Sequence, residues 1–155
     1  MSEAERADLQ RQQHQRQSRF ESAFTHTPIG MALVSMDGRW LVTTSSRDFS
    51  FWDTQTWQVH RKVPMDLGSA VAGPISFSRD GRLLAVAANR RNIKLLHPET
   101  GAEFATLTAP DSQNLSRVAF SDDGSRLMAT TDGRAIQVWD LRTLRHELAG
   151  LGLDW

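Results

Sequence analysis

Short apolar runs separated by Asp-Gly pairs fill the last third of the chain. Between Val118 and Leu141, three runs of apolar and β-branched residues end at Asp123-Gly124, Asp132-Gly133 and Trp139-Asp140. Asp-Gly between such runs favours a tight hairpin, because the turn needs positive φ and glycine adopts it without strain. The pattern predicts three short antiparallel strands.

The same arrangement occurs three times. Asp37-Gly38, Asp80-Gly81 and Asp123-Gly124 are 43 residues apart, within LVSMDGRWLV, SFSRDGRLLAV and AFSDDGSRLMA. A third strand follows each of them: FSFWDTQTW, IKLLHPETG and IQVWDLRTL. A period of about 40–45 residues with four strands per unit is typical of β-propeller blades. Such units stack, because one small sheet cannot bury either face alone.

From about Asp37 to Leu144 the chain resembles bacterial WD-repeat propeller sequences. The matching residues are Phe77-Ser78-Arg79-Asp80-Gly81, Phe120-Ser121-Asp122-Asp123-Gly124, Trp52-Asp53 and Trp139-Asp140. The middle unit has Leu96-His97 in place of Trp-Asp, and the chain has no Gly-His dipeptide, which is frequent in the family. The resemblance implies an all-β fold of three four-stranded blades, a partial propeller, with blades at about 28–66, 67–110 and 111–148 and a tail to 155.

The resemblance also implies a hydrogen-bonded set of Asp, His, Ser or Thr, and Trp within a blade. The first unit offers all four types, at Asp48, His26, Ser46 and Trp52. The third unit offers Asp132, Thr130 and Trp139 without a histidine.

The amino-terminal segment 1–27 is predicted to be a helix that stops at Pro28. Ser2 and Glu5 fit a capping box, and no Gly or Pro interrupts the segment. Its apolar residues are sparse, so we expect a solvated helix anchored by Phe20 and Phe24. A dimerising coiled coil is the alternative, but apolar heptad positions are not sustained.

The stretch from Arg19 to Leu41 resembles the beginning of a bacterial PAS sensor domain. The matching parts are Phe-x-x-Ala-Phe, Pro-Ile-Gly-Met-Ala-Leu-Val and Asp-Gly-Arg-Trp-Leu. This resemblance implies a sensory module with helices after Trp40, whereas residues 42–46 continue as a strand. We interpret the chain as a crossover at a hairpin shared by two families, either a natural recombinant or an engineered chimera; chance similarity of two hairpins is the alternative.

The carboxyl-terminal segment changes period. Leu141, Leu144, Leu148 and Leu151 recur at helical spacing, and glycines follow at positions 150 and 152. We predict a short amphipathic helix where a fourth strand of the last blade would lie; a strand from His146 to Leu148 is the alternative. This ending resembles the carboxyl termini of bacterial WD-repeat proteins that accompany serine/threonine kinase domains.

Composition excludes several classes of function. Eighteen basic and eighteen acidic residues give a net charge of zero, so no global charge favours nucleic acid or anionic lipid. The chain has no cysteine, and therefore no disulfide or thiolate chemistry. Its polar start lacks a signal-peptide apolar core, and no apolar run approaches about 18 residues. We expect a soluble cytoplasmic protein without nucleic-acid or membrane partners.

Candidate catalytic and ligand-binding chemistry is sparse. The five histidines are not paired at metal-ligand spacing; they are His14, His26, His60, His97 and His146. Phosphate-cradling glycine loops and the common nucleophile motifs are absent from the sequence. We predict a non-enzymatic protein with no metal site and no cofactor.

Three blades cannot close a ring, since propellers typically have about four to eight. An open arc leaves two apolar faces in water, which a soluble monomer rarely tolerates. We therefore predict a homodimer in which two arcs close a six-bladed ring; terminal helices covering the open faces are an alternative. Trp57 and Trp155 are further interface candidates. The predicted function is a self-associating protein-interaction scaffold, and a PAS-type sensory module is the alternative.

Overall fold

The structure is a computed structural model. It describes residues 3–23, 29–66, 73–110, 114–150 and 152, with side chains from residue 3 to 15 in the first of these ranges. In chain order the elements are α1 (Glu3–Ala23), β1 (Met31–Val34), β2 (Trp40–Thr44), β3 (Asp48–Asp53), β4 (Gln58–Pro64), β5 (Ile75–Phe77), β6 (Leu84–Ala87), β7 (Asn92–Leu96), β8 (Glu103–Thr108), β9 (Leu115–Phe120), β10 (Arg126–Thr131), β11 (Ile136–Asp140) and α2 (Leu141–Gly150).

The strands form three antiparallel sheets, each a meander in chain order. Blade 1 is β1-β2-β3-β4, blade 2 is β5-β6-β7-β8, and blade 3 is β9-β10-β11. The predicted all-β fold of propeller-type blades between two terminal helices is thus confirmed. In blade 3 the described residues provide three strands, and the predicted helix follows them where a fourth strand would lie.

Helix α2 takes the place of the fourth strand in blade 3. Asp140 Oδ1 accepts the backbone N–H of Thr143 at 2.9 Å, which caps the first turn of the helix. Leu141 is 1 % exposed and Leu144 packs beside it against the core. The predicted terminal helix is therefore confirmed, and the alternative strand from His146 to Leu148 is wrong.

The segment after Trp40 contradicts the PAS-type alternative, which requires helices there. Residues 40–44 and 48–53 instead form β2 and β3. All five residues of β2 are buried, and the β-branched Val42, Thr43 and Thr44 suit a packed strand.

Strand pairing divides each blade into two faces, because paired residues lie on the same side of a sheet and sides alternate along a strand. We call one side the back face; it includes the pairs Leu41–Trp52, Leu84–Leu96 and Leu127–Trp139 in blades 1 to 3. The other side is the forward face; it includes the pairs Val42–Phe51, Ala85–Leu95 and Met128–Val138.

The core lies between successive blades. The forward face of blade 1 packs on the back face of blade 2, through Val42, Phe49 and Phe51 against Ile75, Leu84, Val86 and Leu96. The forward face of blade 2 packs on the back face of blade 3, through Ala85, Ala87, Ile93 and Leu95 against Leu115, Val118, Leu127 and Ala129. Leu141 of α2 joins this second core. The stack therefore has two ends, the back face of blade 1 and the forward face of blade 3.

Helix α1 is exposed from residue 3 to residue 15, as expected for a solvated helix. The predicted anchors are not described: Phe24 and the side chain of Phe20 lie outside the described residues, as do His26 and Trp155. Within the described parts of the chain, neither helix is long and apolar enough to cross a membrane.

Candidate interaction surfaces on the blades

A hydrogen-bonded Ser-x-Asp-Gly turn joins the first two strands of each blade. In blade 1, Ser35 Oγ donates to Asp37 Oδ1 at 2.5 Å and accepts the backbone N–H of Trp40 at 2.9 Å. Asp37 Oδ1 also accepts the backbone N–H of Arg39 at 3.0 Å. Gly38 has a φ of 71°, a conformation in which glycine is unstrained.

The same geometry recurs in the other two turns. Ser78 Oγ donates to Asp80 Oδ1 at 2.7 Å, and Ser121 Oγ donates to Asp123 Oδ1 at 2.7 Å. These aspartates were predicted to be turn residues, whereas the hydrogen bonds of the serines were not predicted. A signal was present, since a serine lies two residues before each aspartate with the same 43-residue period.

These hydrogen bonds lower the pKa of the turn carboxyls. The hydroxyl of Ser35 and the amide of Arg39 hold the pKa of Asp37 below its ordinary value. The hydroxyl of Ser121 and donors from Ser125 do the same for the pKa of Asp123. Burial raises the pKa of Asp80, but its hydrogen bonds outweigh burial and the net shift is downward. The turn aspartates are therefore ionised at neutral pH and bind their own backbone.

A polar network lies on the back face of blade 1. Trp52 Nε1 donates to Thr43 Oγ1 at 3.0 Å. Asp48 Oδ1 accepts from Ser45 Oγ at 3.3 Å and from Ser50 Oγ at 3.1 Å. Apart from half-buried Asp48, these side chains are at most 6 % exposed. This end of the stack thus pairs its polar groups within its own sheet.

The network differs from the set predicted for the first blade. Asp48 and Trp52 lie in it, but Thr43 accepts from the indole, and Ser46 is exposed. Strand β2 ends at Thr44 and the chain turns back where Ser45 N–H donates to Asp48 O, so Ser46 lies in the turn rather than on the strand. The predicted His26 lies outside the described residues.

The set predicted for the third blade is not brought together. Trp139 pairs with Leu127 on the back face, where Ala129 takes the place that Thr43 has in blade 1. Thr130 lies on the forward face, because adjacent strand residues point to opposite sides of the sheet. Its Oγ1 is 3.4 Å from Ser116 Oγ. Asp132 is exposed in the following turn.

The forward face of blade 3 is apolar and exposed. Ile136 is 69 % exposed and Val138 is 56 % exposed. The residues at equivalent positions in blades 1 and 2 are at most 1 % exposed; they are Phe49, Phe51, Ile93 and Leu95. Ala119 and Met128 extend the face, and Arg117, Arg126 and Asp140 border it. The centre of this end of the stack is therefore as apolar as the core between the blades.

Trp57, an interface candidate from the sequence, occupies a left-handed turn position. Its φ is 56°, and its N–H donates to Asp53 O at 2.7 Å. In the matching turn of blade 2, Gly101 has a φ of 65° and donates to His97 O at 2.7 Å. A non-glycine residue in this region is strained by about 1–3 kcal/mol. The half-buried tryptophan is thus held where glycine would be favoured; Trp155 lies outside the described residues.

A groove of about 390 Å³ separates α2 from two Asp-Gly turns. Ser78 and Asp80 line one side, and Arg145 and His146 line the helix side. Its charges are mixed, and Arg142 Nη2 lies 3.4 Å from Asp123 Oδ2. Among the residues that the structure describes, no three His, Asp or Glu side chains are grouped to hold a metal ion.

Comparisons with known proteins agree with this architecture. A family model for the WD domain, G-beta repeat, matches residues 101–140. The chain is 27 % identical over 119 residues to DDB1- and CUL4-associated factor 10 of Xenopus tropicalis, covering 74 % of this chain and 26 % of the relative. It therefore spans about a quarter of the length of that curated relative.

Solved structures show the same fold. U3-55K matches 76 % of this chain with a TM-score of 0.66 and 19 % identity, over 37 % of its own chain. A chain of the mitotic checkpoint complex matches 75 % with a TM-score of 0.63 and 19 % identity, over 35 % of its chain. The β-propeller domain of Cps50 (Swd1) from Myceliophteria thermophila matches 72 % with a TM-score of 0.61 and 17 % identity, again over 35 %. The chain has the WD40-repeat propeller fold.

Proposed function

We propose that this chain is a non-catalytic protein-interaction scaffold that self-associates through the forward face of blade 3. The observation that carries the proposal is the exposure of Ile136 and Val138, at 69 % and 56 %, in a sheet whose other face is packed. Contiguous exposed apolar residues bordered by polar ones are typical of protein–protein contact sites.

The repeat itself supports this proposal. The forward faces of blades 1 and 2 each pack against the back face of another sheet, through side chains at equivalent positions. Blade 3 repeats the strand pairing of those blades and has β-branched apolar residues at the same two places. Burial of one such side chain contributes about 1.5–3 kcal/mol, which offsets part of the entropy cost of association.

The names of similar proteins support a scaffold for protein partners. The curated relative is described as associated with DDB1 and CUL4, and one structural neighbour belongs to a mitotic checkpoint complex. We propose that this chain likewise acts by holding proteins together. The three Ser-x-Asp-Gly turns support a rigid stack, since each fixes its hairpin by side-chain hydrogen bonds.

We also retain the recombinant origin as a proposal. The turn at Asp37-Gly38 has the same hydrogen bonds as the turns at Asp80-Gly81 and Asp123-Gly124. A hairpin of this kind, common to two families, could join one sequence to another without disturbing the blade.

The experiment is a measurement of mass by light scattering over a range of protein concentrations. We expect the mass to rise from 17.4 kDa to about twice that value. The variant Ile136→Lys should stay at the monomer mass, because a charge on the forward face opposes its burial. The matched control is Met36→Lys, since Met36 is also 69 % exposed but lies in the first Asp-Gly turn; it should associate as the parent does.

Two results would overturn the proposed function. One is a parent protein that keeps the monomer mass at every concentration. The other is association that Ile136→Lys and Met36→Lys leave equally intact, which would place the contact elsewhere on the molecule.

A further inference from the structure

Strand β11 lies at the edge of its sheet, unlike the strands at the same place in the other two blades. In blades 1 and 2, β3 pairs with β4 and β7 pairs with β8. Among the residues that the structure describes, β11 pairs only with β10. The chain continues from β11 into α2, which packs on the core through Leu141 and Leu144. An edge strand presents backbone donors and acceptors to which a further strand can bind.

The hairpin of β10 and β11 identifies the backbone groups that face this edge. Thr131 N–H donates to Ala135 O at 3.0 Å, at the start of the pairing. In an antiparallel pair, every second residue bonds to the partner strand. The backbone of Gln137 therefore faces β10, whereas the N–H and C=O groups of Ile136 and Val138 face the edge.

The other two blades show which strand fits at this place. In blade 2, Ile93 is the equivalent of Ile136, and it pairs with Leu107 of β8. In blade 1, the equivalent residue is Phe49, and it pairs with Val63 of β4. Both fourth strands run antiparallel to the third strand and place an aliphatic residue here. An aliphatic residue therefore fits opposite Ile136.

The side chain of Gln137 indicates the preceding residue of such a strand. Its Oε1 is buried and has no hydrogen-bond partner in the described parts of the chain. Leaving a buried acceptor unsatisfied costs free energy. At the matching place, Lys62 of β4 pairs with Ser50, and Thr106 of β8 pairs with Lys94. Both fourth-strand residues carry a side-chain donor, which is the group that the glutamine oxygen needs.

From these observations we infer that the edge of β11 binds an extended segment of a partner protein, which adds an antiparallel fourth strand to blade 3. The segment has a side-chain donor opposite Gln137 and, directly after it, an aliphatic residue opposite Ile136. The inference rests on the proposed scaffold function and names a class of partner for it. It does not depend on contact between copies of the chain.

An unpaired segment fits this edge better than β11 of a second copy does. The fourth strands β4 and β8 each contain one extra residue, His60 and Phe104, where their register shifts. A free segment can form this β-bulge. Strand β11 pairs with β10 in continuous register, so it lacks the extra residue.

Peptides made from the chain's own β8 test the inference. The peptide AEFATLTA, residues 102–109, has Thr106 followed by Leu107. In blade 2 the N–H of Ala109 donates to Arg91 O at 2.7 Å, so the N–H of Leu107 also faces β7 and that of Thr106 faces away. We expect saturable binding of the labelled peptide, measured by fluorescence anisotropy. N-methylation at Leu107 should weaken binding by at least about tenfold, whereas N-methylation at Thr106, the matched control, should change it by less than about twofold.

Two variants of the protein locate the contact. Val138→Pro removes an N–H that faces the edge and leaves the bonds to β10 in place, as proline in edge strands does. It should abolish peptide binding and keep the circular dichroism spectrum of the parent. Met128→Lys places a charge on the forward face without changing the backbone of β11, so it should still bind the peptide.

The outcomes separate this inference from self-association. Equal affinity for the two methylated peptides, or binding that Val138→Pro leaves intact, would overturn the inference. Failure of the peptide to bind a parent that is dimeric in light scattering would overturn it and leave self-association in place. A dimer that survives Met128→Lys but not Val138→Pro would show that two copies pair through β11, which would overturn the partner named here. Peptide binding by a parent that stays monomeric would support the inference and remove self-association.

Discussion

The two ends of the blade stack have the same strand pairing but differ in the hydrogen bonding and the solvent exposure of their side chains. At the blade 1 end, Trp52 is 3 % exposed and its indole donates to Thr43. At the blade 3 end, Val138 is 56 % exposed on a face that is apolar at its centre. The centre of the blade 1 end therefore has its hydrogen bonds completed internally, with exposed Val34 at its border, whereas the centre of the blade 3 end has its apolar surface in water.

The three blades share their strand pairing, whereas the side chains on an end face depend on the position of the blade in the stack. Repeat proteins use terminal units with a polar outer face to end a stack. The network around Asp48 gives the centre of the blade 1 back face that character, because its hydroxyl donors pair the carboxylate within the sheet. Val34 and Val59 on the same face are 51 % and 38 % exposed. Blade 3 has no such network on its forward face among the described residues, and it keeps the apolar residues of an internal blade.

The largest expected effect comes from truncating one buried aromatic at the blade 1 end. Trp52→Ala should lower the free energy of unfolding by about 3–5 kcal/mol, because it leaves a cavity and an unused Thr43 acceptor. Val138→Ala at the blade 3 end should change it by less than about 0.5 kcal/mol in dilute protein, as exposed sites do. Urea unfolding followed by tryptophan fluorescence and circular dichroism measures both. Equal losses would mean that the two ends are packed alike.

The sequence predicted the blades well because a turn and its period are local properties. The 43-residue spacing of the Asp-Gly pairs placed the hairpins, and the leucine spacing after Asp140 placed α2. The hydrogen-bonded networks were predicted less well, because the side of the sheet on which a residue lies depends on strand register. Ser46 falls in the turn after β2, and Thr130 lies one residue from the side that Trp139 occupies. A shift of one residue reverses the face of a side chain.

The open end faces were predicted from the number of blades and not from residue type. Ile136 and Val138 resemble Ile93 and Leu95 in the preceding blade, which are fully buried. The difference arises because a neighbouring sheet covers one pair, and only the place of a unit in the row of three repeats indicates whether it has such a neighbour.

An intermediate effect should come from acid, and it should be the same at both ends. Hydrogen bonds lower the pKa of Asp37 in blade 1 and of Asp123 in blade 3 below the ordinary value of about 3.9. A carboxyl with a lower pKa in the folded protein contributes stability above its unfolded pKa and loses it as the pH falls through the folded pKa. The urea midpoint should therefore decrease as the pH is lowered below about 5.

The variants Asp37→Asn and Asp123→Asn test whether the turns are equivalent. Each should lower the urea midpoint at pH 7 and reduce the further decrease on acidification, because one titrating carboxyl is gone. Asp8→Asn in the exposed part of α1 is the control and should behave as the parent does. A loss at only one of the two turns would show that the ends differ in their hairpins as well as in their faces.

The smallest expected effect concerns backbone strain, which both ends contain. Trp57 in blade 1 has a φ of 56° and Arg134 in blade 3 has a φ of 61°. At each position the glycine variant should be more stable than the alanine variant by about 1 kcal/mol, since both remove the side chain but alanine keeps the left-handed strain. Comparing Gly with Ala, rather than with the parent, cancels the contacts that Trp57 and Arg134 make. Gly101→Ala is an informative third case, because its Cβ would lie 2.3 Å from Arg61 Nη1, so strain and displacement of Arg61 should add. If the alanine and glycine variants at Trp57 were equally stable, the backbone of this turn would be unstrained. Backbone strain would then give no reason to regard Trp57 as an interface residue.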